Sequence, residues 1–236
     1  MPLALQRYVY VAESRADALD AVLAGKPVKS PQVSVKGCAL QASAKRARPG
    51  NKISYANQIA PMLAVARKVV EDKIPLPIDC HLLITISEEV GSGASSILHG
   101  DIAEMLTIDT GPIAPGQSTH EYGVTVCMAD SNGPFDYHLT HHLIRLCREN
   151  GIEHHRDLFK YYKCDSASAI EAGNDIRTAL VCFGTDATHG YERCHEKTLM
   201  ALGHLLLQYV ASDPLFERDR KELGDLKGFP TLPVDE

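Results

Sequence analysis

Two adjacent carboxylates, Glu88 and Glu89, stand where an apolar run stops. Cys80-His81-Leu82-Leu83-Ile84-Thr85-Ile86-Ser87 leads into them and Val90-Gly91-Ser92-Gly93 follows. One acid, Asp109, closes a second run, Ala103 to Ile108, ahead of Thr110-Gly111. Two imidazoles, His189 and His195, fall in the stretch Gly184 to His195, after a third run, Thr178 to Phe183. Carboxylates and imidazoles without a thiolate form a donor set that suits zinc, manganese or cobalt bound for hydrolysis. Neighbouring side chains at a strand end point different ways. One carboxylate can therefore ligate while another takes the proton of a metal-activated water.

Such chemistry needs elements that deliver these groups to one edge. In open α/β sheets, ligands gather beyond the carboxyl ends of the strands. The apolar runs predict strands over 80–86, 103–108 and 178–183, the first of them buried and parallel. Further strands are expected over 8–11, 33–40, 122–128 (ending at Asp130) and 159–164. Helices are expected over 16–23, 59–70 with Pro61 in the first turn, 92–98, 137–150 closed by Gly151, and 196–210. The expected fold class is α/β, a mixed, mostly parallel sheet flanked by helices. His138, His141 and His142 fall near one another on the 137–150 helix. No nearby acid completes a coordination set, so they read as surface or supporting residues. Asp165-Ser166-Ala167-Ser168-Ala169 reads as a small-residue turn whose backbone N–H groups could face an anion.

The 236 residues carry 24 Lys and Arg against 30 Asp and Glu, a net charge of −6. That balance gives no basic footprint for nucleic acid, and the cluster Lys45, Arg46, Arg48 reads as a solvated loop. No apolar run approaches the ~20 residues of a membrane-spanning helix, and the start lacks a basic-then-apolar leader. The expectation is no nucleic acid and no membrane among the partners. Seven scattered cysteines (Cys38, Cys80, Cys127, Cys147, Cys164, Cys182, Cys194) form no Cys-x-x-Cys pair. They read as reduced thiols of a cytoplasmic protein.

Ile86-Ser87-Glu88-Glu89-Val90-Gly91, Ile108-Asp109-Thr110 and His189-Gly190-Tyr191-Glu192 together resemble the cocatalytic zinc aminopeptidases related to the tetrahedral and glutamyl aminopeptidases. Within that family the chain is similar to the osmoprotectase branch, associated with N-acetylglutaminylglutamine amide biosynthesis. The segments Ala114-Pro115-Gly116-Gln117, Gly133-Pro134-Phe135-Asp136-Tyr137-His138, Glu171-Ala172-Gly173-Asn174-Asp175-Ile176-Arg177 and His189-Gly190-Tyr191-Glu192-Arg193 carry this closer likeness. The resemblance implies Glu88 as general base and Glu89, Asp109 and His189 as metal ligands. His195 is the alternative imidazole under a different loop register. It further implies two zinc ions per site, with manganese or cobalt possible, a small peptide or peptide-like substrate, and a homo-oligomer.

Family members also have an upstream portion with a first ligand histidine, an inserted domain, and a His-Leu-Asp-Asp-Lys-type motif whose first aspartate bridges the two metals. Counting back from Glu88, that motif's place is held by Arg48-Pro49-Gly50-Asn51-Lys52. Gly50 stands where the bridging carboxylate would be and offers no side chain to coordinate. The resemblance therefore implies an N-terminally incomplete member with an incomplete ligand set. The chain divides into 1–27, a remnant of the inserted domain and return segment; 28–57, a divergent segment; 58–212, the zinc-peptidase-like catalytic domain; and 213–236, a C-terminal extension. The expected function is metal-dependent hydrolysis of amide bonds in small peptides or peptide-like osmolytes, impaired in this chain. The alternative is a non-catalytic relic or assembly partner that keeps the fold. A third reading, a thiol hydrolase using Cys194 beside His189 or His195, rests on adjacency in sequence alone.

Overall fold

The structure is a computed structural model that describes residues 6–12, 32–36, 54–85, 87–96, 102–188 and 191–216. The side chains of 6–12, 32–36, 54–58, 89 and 191 stand outside that description. In chain order the elements are β1 (Gln6–Ala12), β2 (Gln32–Lys36), α1 (Ser54–Glu71), β3 (Asp79–Thr85) and a 3-10 turn (Glu88–Val90). Then come β4 (Ile102–Pro112), β5 (Val124–Asp130), β6 (Gly133–Pro134), α2 (Tyr137–Glu149) and β7 (His154–Leu158). The last are α3 (Ser166–Glu171), β8 (Arg177–Asp186), β9 (Tyr191–His195) and α4 (Glu196–Ala211).

The described strands form one mixed sheet with the path β2-β9-β8-β4-β1-β3. Parallel pairing runs through β3, β1, β4 and β8, so these four end at one edge. Along its other side β8 pairs antiparallel first with β5 and then, at Thr185 and Asp186, with β9. β4 is the central strand, and Ile102 to Ile108 are all buried along it. Alternation sends Leu106 and Ile108 to the face covered by α1, α2 and α4, where they meet Met62, Leu143, Leu202 and Leu206. On the other face Cys127, Leu180 and Cys182 pack under Phe159, Tyr162 and Cys164. The sheet is thus flanked by helices, as expected for the α/β class.

Local chemistry explains several of these elements. Asp136 caps α2 by accepting from the Leu139 N–H at 2.7 Å. α1 starts at Ser54, so Pro61 lies inside it rather than in its first turn. Proline there removes one backbone donor. Its ring meets α4 at Gly203, where an added Cβ would lie 3.7 Å from the Pro61 Cβ.

Several expectations are corrected. The 80–86 run is a parallel strand but forms the end of the sheet path, and Leu82 and Ile84 are each 41% exposed. Apolar composition reports strand tendency, not what covers the strand. Residues 92–96 form turns instead of opening a helix, and Ala94 is buried among Met105 and Ala169. The strand expected over 159–164 lies instead at His154–Leu158, whose text is polar because its buried member is Asp157 and its leucine, Leu158, is exposed. The stretch 184–195, read as a loop, holds the end of β8 and all of β9. The expected helix over 16–23 and the tail beyond 216 lie outside the described residues.

Candidate active site

Ser87 leads β3 into the Glu88–Val90 turn, which Gly91 closes with φ +75°, a left-handed conformation that glycine adopts without strain. The Gly91 N–H donates to the Glu88 carbonyl at 2.7 Å, and the Ser92 N–H to the Ser87 carbonyl at 3.1 Å. Glu88 is half-buried; Glu89 has its backbone in the same turn, with its side chain outside the described residues. β1 lies between β3 and β4, which sets those two strands roughly 10 Å apart at ordinary strand spacing.

Asp109 does not end its strand. It sits within β4, level with Cys182 of β8, three residues before Pro112. Its Oδ1 accepts from the Thr110 N–H at 2.7 Å. The Tyr162 hydroxyl donates to the Thr110 carbonyl at 3.2 Å. Burial first, then the adjacent Asp109 carboxylate, hold that hydroxyl protonated well above the usual tyrosine range.

A hydroxyl contact links β4 to the β8–β9 connection. Thr110 Oγ1 lies 3.4 Å from Thr188 Oγ1, which also donates to Glu192 Oε1 at 3.2 Å. Thr188 immediately precedes His189, which is outside the described residues, as is Gly50. His195 belongs to a different group. Its Nδ1 accepts from the Lys197 N–H at 3.1 Å and its ring meets Tyr122 edge-on at 4.8 Å. With His120, Glu121, Asp186 and Arg193 it lines a cavity of about 230 Å³. Asp186 and Arg193 pair across the hairpin at 3.1 Å.

The α2 histidines diverge. His142 is buried and bonded to Ser212 Oγ at 2.9 Å, while His141 stacks on Tyr137 and His138 is exposed. Cys194 is 3% exposed, and burial pushes its thiol up to about 12. An activated nucleophile needs the opposite shift and access to substrate, so burial weighs against the thiol-hydrolase reading at this residue.

Composition and periodicity missed a buried polar cluster beside the Glu88 turn. The Asp165 carboxylate accepts from Thr85 Oγ1 at 3.2 Å and from Ser168 Oγ at 2.6 Å. The 165–169 segment reads in sequence as a source of backbone donors, whereas here Asp165 is itself the acceptor.

In kind, the carboxylates Glu88 and Asp109 suit a hard or borderline divalent cation, and an imidazole at 189 would extend that set. Among the described residues no three His, Cys, Asp or Glu are grouped so as to hold a metal ion. The Glu89 and His189 side chains lie beyond that description.

A family model described as M42 glutamyl aminopeptidase matches residues 51–205. The protein YhfE of Bacillus subtilis (strain 168), described provisionally as an aminopeptidase, is 37% identical over 154 residues. That match covers 65% of this chain and 44% of YhfE. Among solved structures, a TET aminopeptidase from Thaumarchaeota archaeon SCGC AB-539-E09 superposes with a TM-score of 0.60 at 16% identity. It covers 66% of this chain and 46% of that one. An aminopeptidase of Desulfurococcus kamchatkensis gives 0.60 at 17% identity, covering 71% and 51%. The TET1 peptidase of Pyrococcus horikoshii, which can assemble into a tetrahedron or a large octahedral shell, gives 0.58 at 15% identity, covering 65% and 47%. These likenesses show a shared fold. The chain spans about half the length of the relatives it matches.

Proposed function

The chain belongs to the M42 glutamyl aminopeptidase family, and from that premise we propose that it hydrolyses amide bonds in small peptides or peptide-like osmolytes with divalent cations, its activity impaired by the incomplete ligand set at Gly50. Glu89 with His189 would hold the first cation and Asp109 part of a second, zinc by preference and manganese or cobalt as substitutes. When bound, they supply Lewis acidity toward the scissile carbonyl and lower the pKa of the attacking water. Glu88 takes the proton from that water as the new C–O bond forms. It returns the proton to the leaving amine as the C–N bond breaks.

The observation that carries this reading is the Thr110–Thr188 contact at 3.4 Å. It joins the residue after Asp109 to the residue before His189. Both lie toward the same carboxyl edge as the Glu88 turn, because β3, β4 and β8 run parallel through β1. The osmoprotectase assignment, with an N-acetylglutaminylglutamine-type amide as substrate, rests on the sequence segments alone. Cytoplasmic location is inferred from cysteine usage, and homo-oligomeric assembly from the shells of the P. horikoshii relative.

Gly50 favours a second reading, a relic or assembly partner with a weakened cation site. Turnover of small aminoacyl amides with added zinc, manganese or cobalt, compared with Glu88→Gln, separates the two. The hydrolase reading expects Glu88→Gln to lower kcat by about 10²-fold or more. Metal-stimulated turnover that survives Glu88→Gln would remove Glu88 from the mechanism. Absent turnover in both chains would leave the relic.

A further inference from the structure

We propose that Asp165 is a positioning residue for Glu88, acting by closing the base of the loop that presents it. The proposal deepens the reading of Glu88 as proton carrier and rests on it. Asp165 occupies the N-cap position of α3, yet its carboxylate makes no capping bond to that helix. It turns instead toward a segment far away in sequence. Thr85 Oγ1, 80 positions upstream, donates to Oδ2 at 3.2 Å. Ser168 completes the clamp, donating to Oδ1 at 2.6 Å and accepting from the Ala94 N–H at 3.2 Å.

The consequence is geometric. Thr85 ends β3 and bonds Asp165 directly, while Ala94 lies just past the turn and is tied to it through the Ser168 hydroxyl, so both feet of the loop are joined to one carboxylate. Glu88 sits between them, and the loop's own bonds, Gly91 N–H to the Glu88 carbonyl and Ser92 N–H to the Ser87 carbonyl, make its tip a rigid unit. A rigid tip on a fixed base leaves Glu88 little freedom to pivot. Displacement of a catalytic group by about 1 Å can cost up to ~10²-fold in rate.

Burying a carboxylate that is 3% exposed is expensive, and burial does push Asp165 upward against its hydrogen bonds. A neutral helix cap such as serine would serve α3 without that cost. The charged acceptor is explained by what it joins.

Asp165→Asn is the informative change. The amide keeps one acceptor oxygen, so the Thr85 and Ser168 hydroxyls can no longer both donate to position 165, and the bonds that remain lose the carboxylate's charge; the variant loses part of the loop's base. Amide hydrogen exchange on the full chain should then show residues 90–94 exchanging at least about tenfold faster. Amides of β4 and β8 should keep their rates. In the turnover assay kcat should fall by about 10- to 100-fold with KM within about twofold. Ser168→Ala serves where Asp165→Asn does not fold, and should speed exchange at Ala94 with a smaller fall in kcat. Unchanged exchange at 90–94, or acceleration shared equally by β4 and β8, would overturn the clamp. An unchanged kcat in a chain whose loop exchanges faster would overturn its link to Glu88. If the unsubstituted chain shows no turnover, the hydrolase reading fails and Glu88 loses the role proposed for it. The exchange result then decides only whether Asp165 closes the loop.

Discussion

Burial pushes the Cys127, Cys147 and Cys194 thiols up to about 12 from an ordinary 9.0, and Cys164 and Cys182 shift in the same direction. A folded pKa above the unfolded one means the contribution to stability is complete below about 9 and lost as pH rises toward 12. Unfolding midpoints should therefore fall steadily between pH 9 and 12. At pH 8 an aromatic disulfide reagent should spare these five thiols until denaturant is added. Rapid native labelling of Cys194 would revive it as a nucleophile. Asp157 tests a different kind of burial. Its Oδ2 accepts from the Ser118 N–H, the Thr119 N–H and Thr119 Oγ1 at 2.7–2.8 Å, and its Oδ1 accepts from the Leu158 N–H. Asp157→Ala strands those donors and should cost about 2–3 kcal/mol in urea unfolding. A loss below about 0.5 kcal/mol would mean water replaces the carboxylate.

The β8–β9 hairpin depends on the 113–121 connection lying against it. A Cβ added at Gly184 would collide with the His120 carbonyl, and at Gly111 it would meet Cys182 Cβ at 2.9 Å. Backbone cannot swing aside as a flexible side chain can. Gly184→Ala should cost about 1–3 kcal/mol, whereas alanine at Gly203 should cost little, since its nearest contact would be 3.7 Å away. Equal melting temperatures for the two variants would contradict this packing. Elements like α4 and β4 were legible because their apolar spacing matches their burial. β7 and β9 were not, because His-His-Arg-Asp-Leu and Tyr-Glu-Arg-Cys-His carry polar or mixed patterns that read equally well as loop. Glu88 and Asp109 could be placed near a sheet edge from the apolar runs before them. The aim of Asp165 could not, since periodicity carries no information about which way a buried carboxylate turns.

At the scale of the whole molecule, any cation held by the native chain must appear as added stability. A ligand at a hundredfold excess over its dissociation constant contributes ~2.7 kcal/mol. For a domain of this size that raises the melting temperature by about 5–10 °C. Manganese is the better probe than zinc, because seven cysteines in the unfolded chain would compete for zinc and mask the effect. If Gly50 leaves a bridging position vacant, millimolar manganese should move the melting temperature of the unsubstituted chain by no more than about 2 °C. Gly50→Asp should enlarge that shift several-fold by restoring an oxygen donor between the two sets of ligands. Asp109→Asn introduced on top of Gly50→Asp should bring the shift back down, because the proposed site would then lack a ligand on β4. Circular dichroism melts with and without manganese read all three chains under one condition. A large shift already present in the unsubstituted chain would mean other residues complete the cation site. A Gly50→Asp gain that survives Asp109→Asn would locate the new binding away from β4.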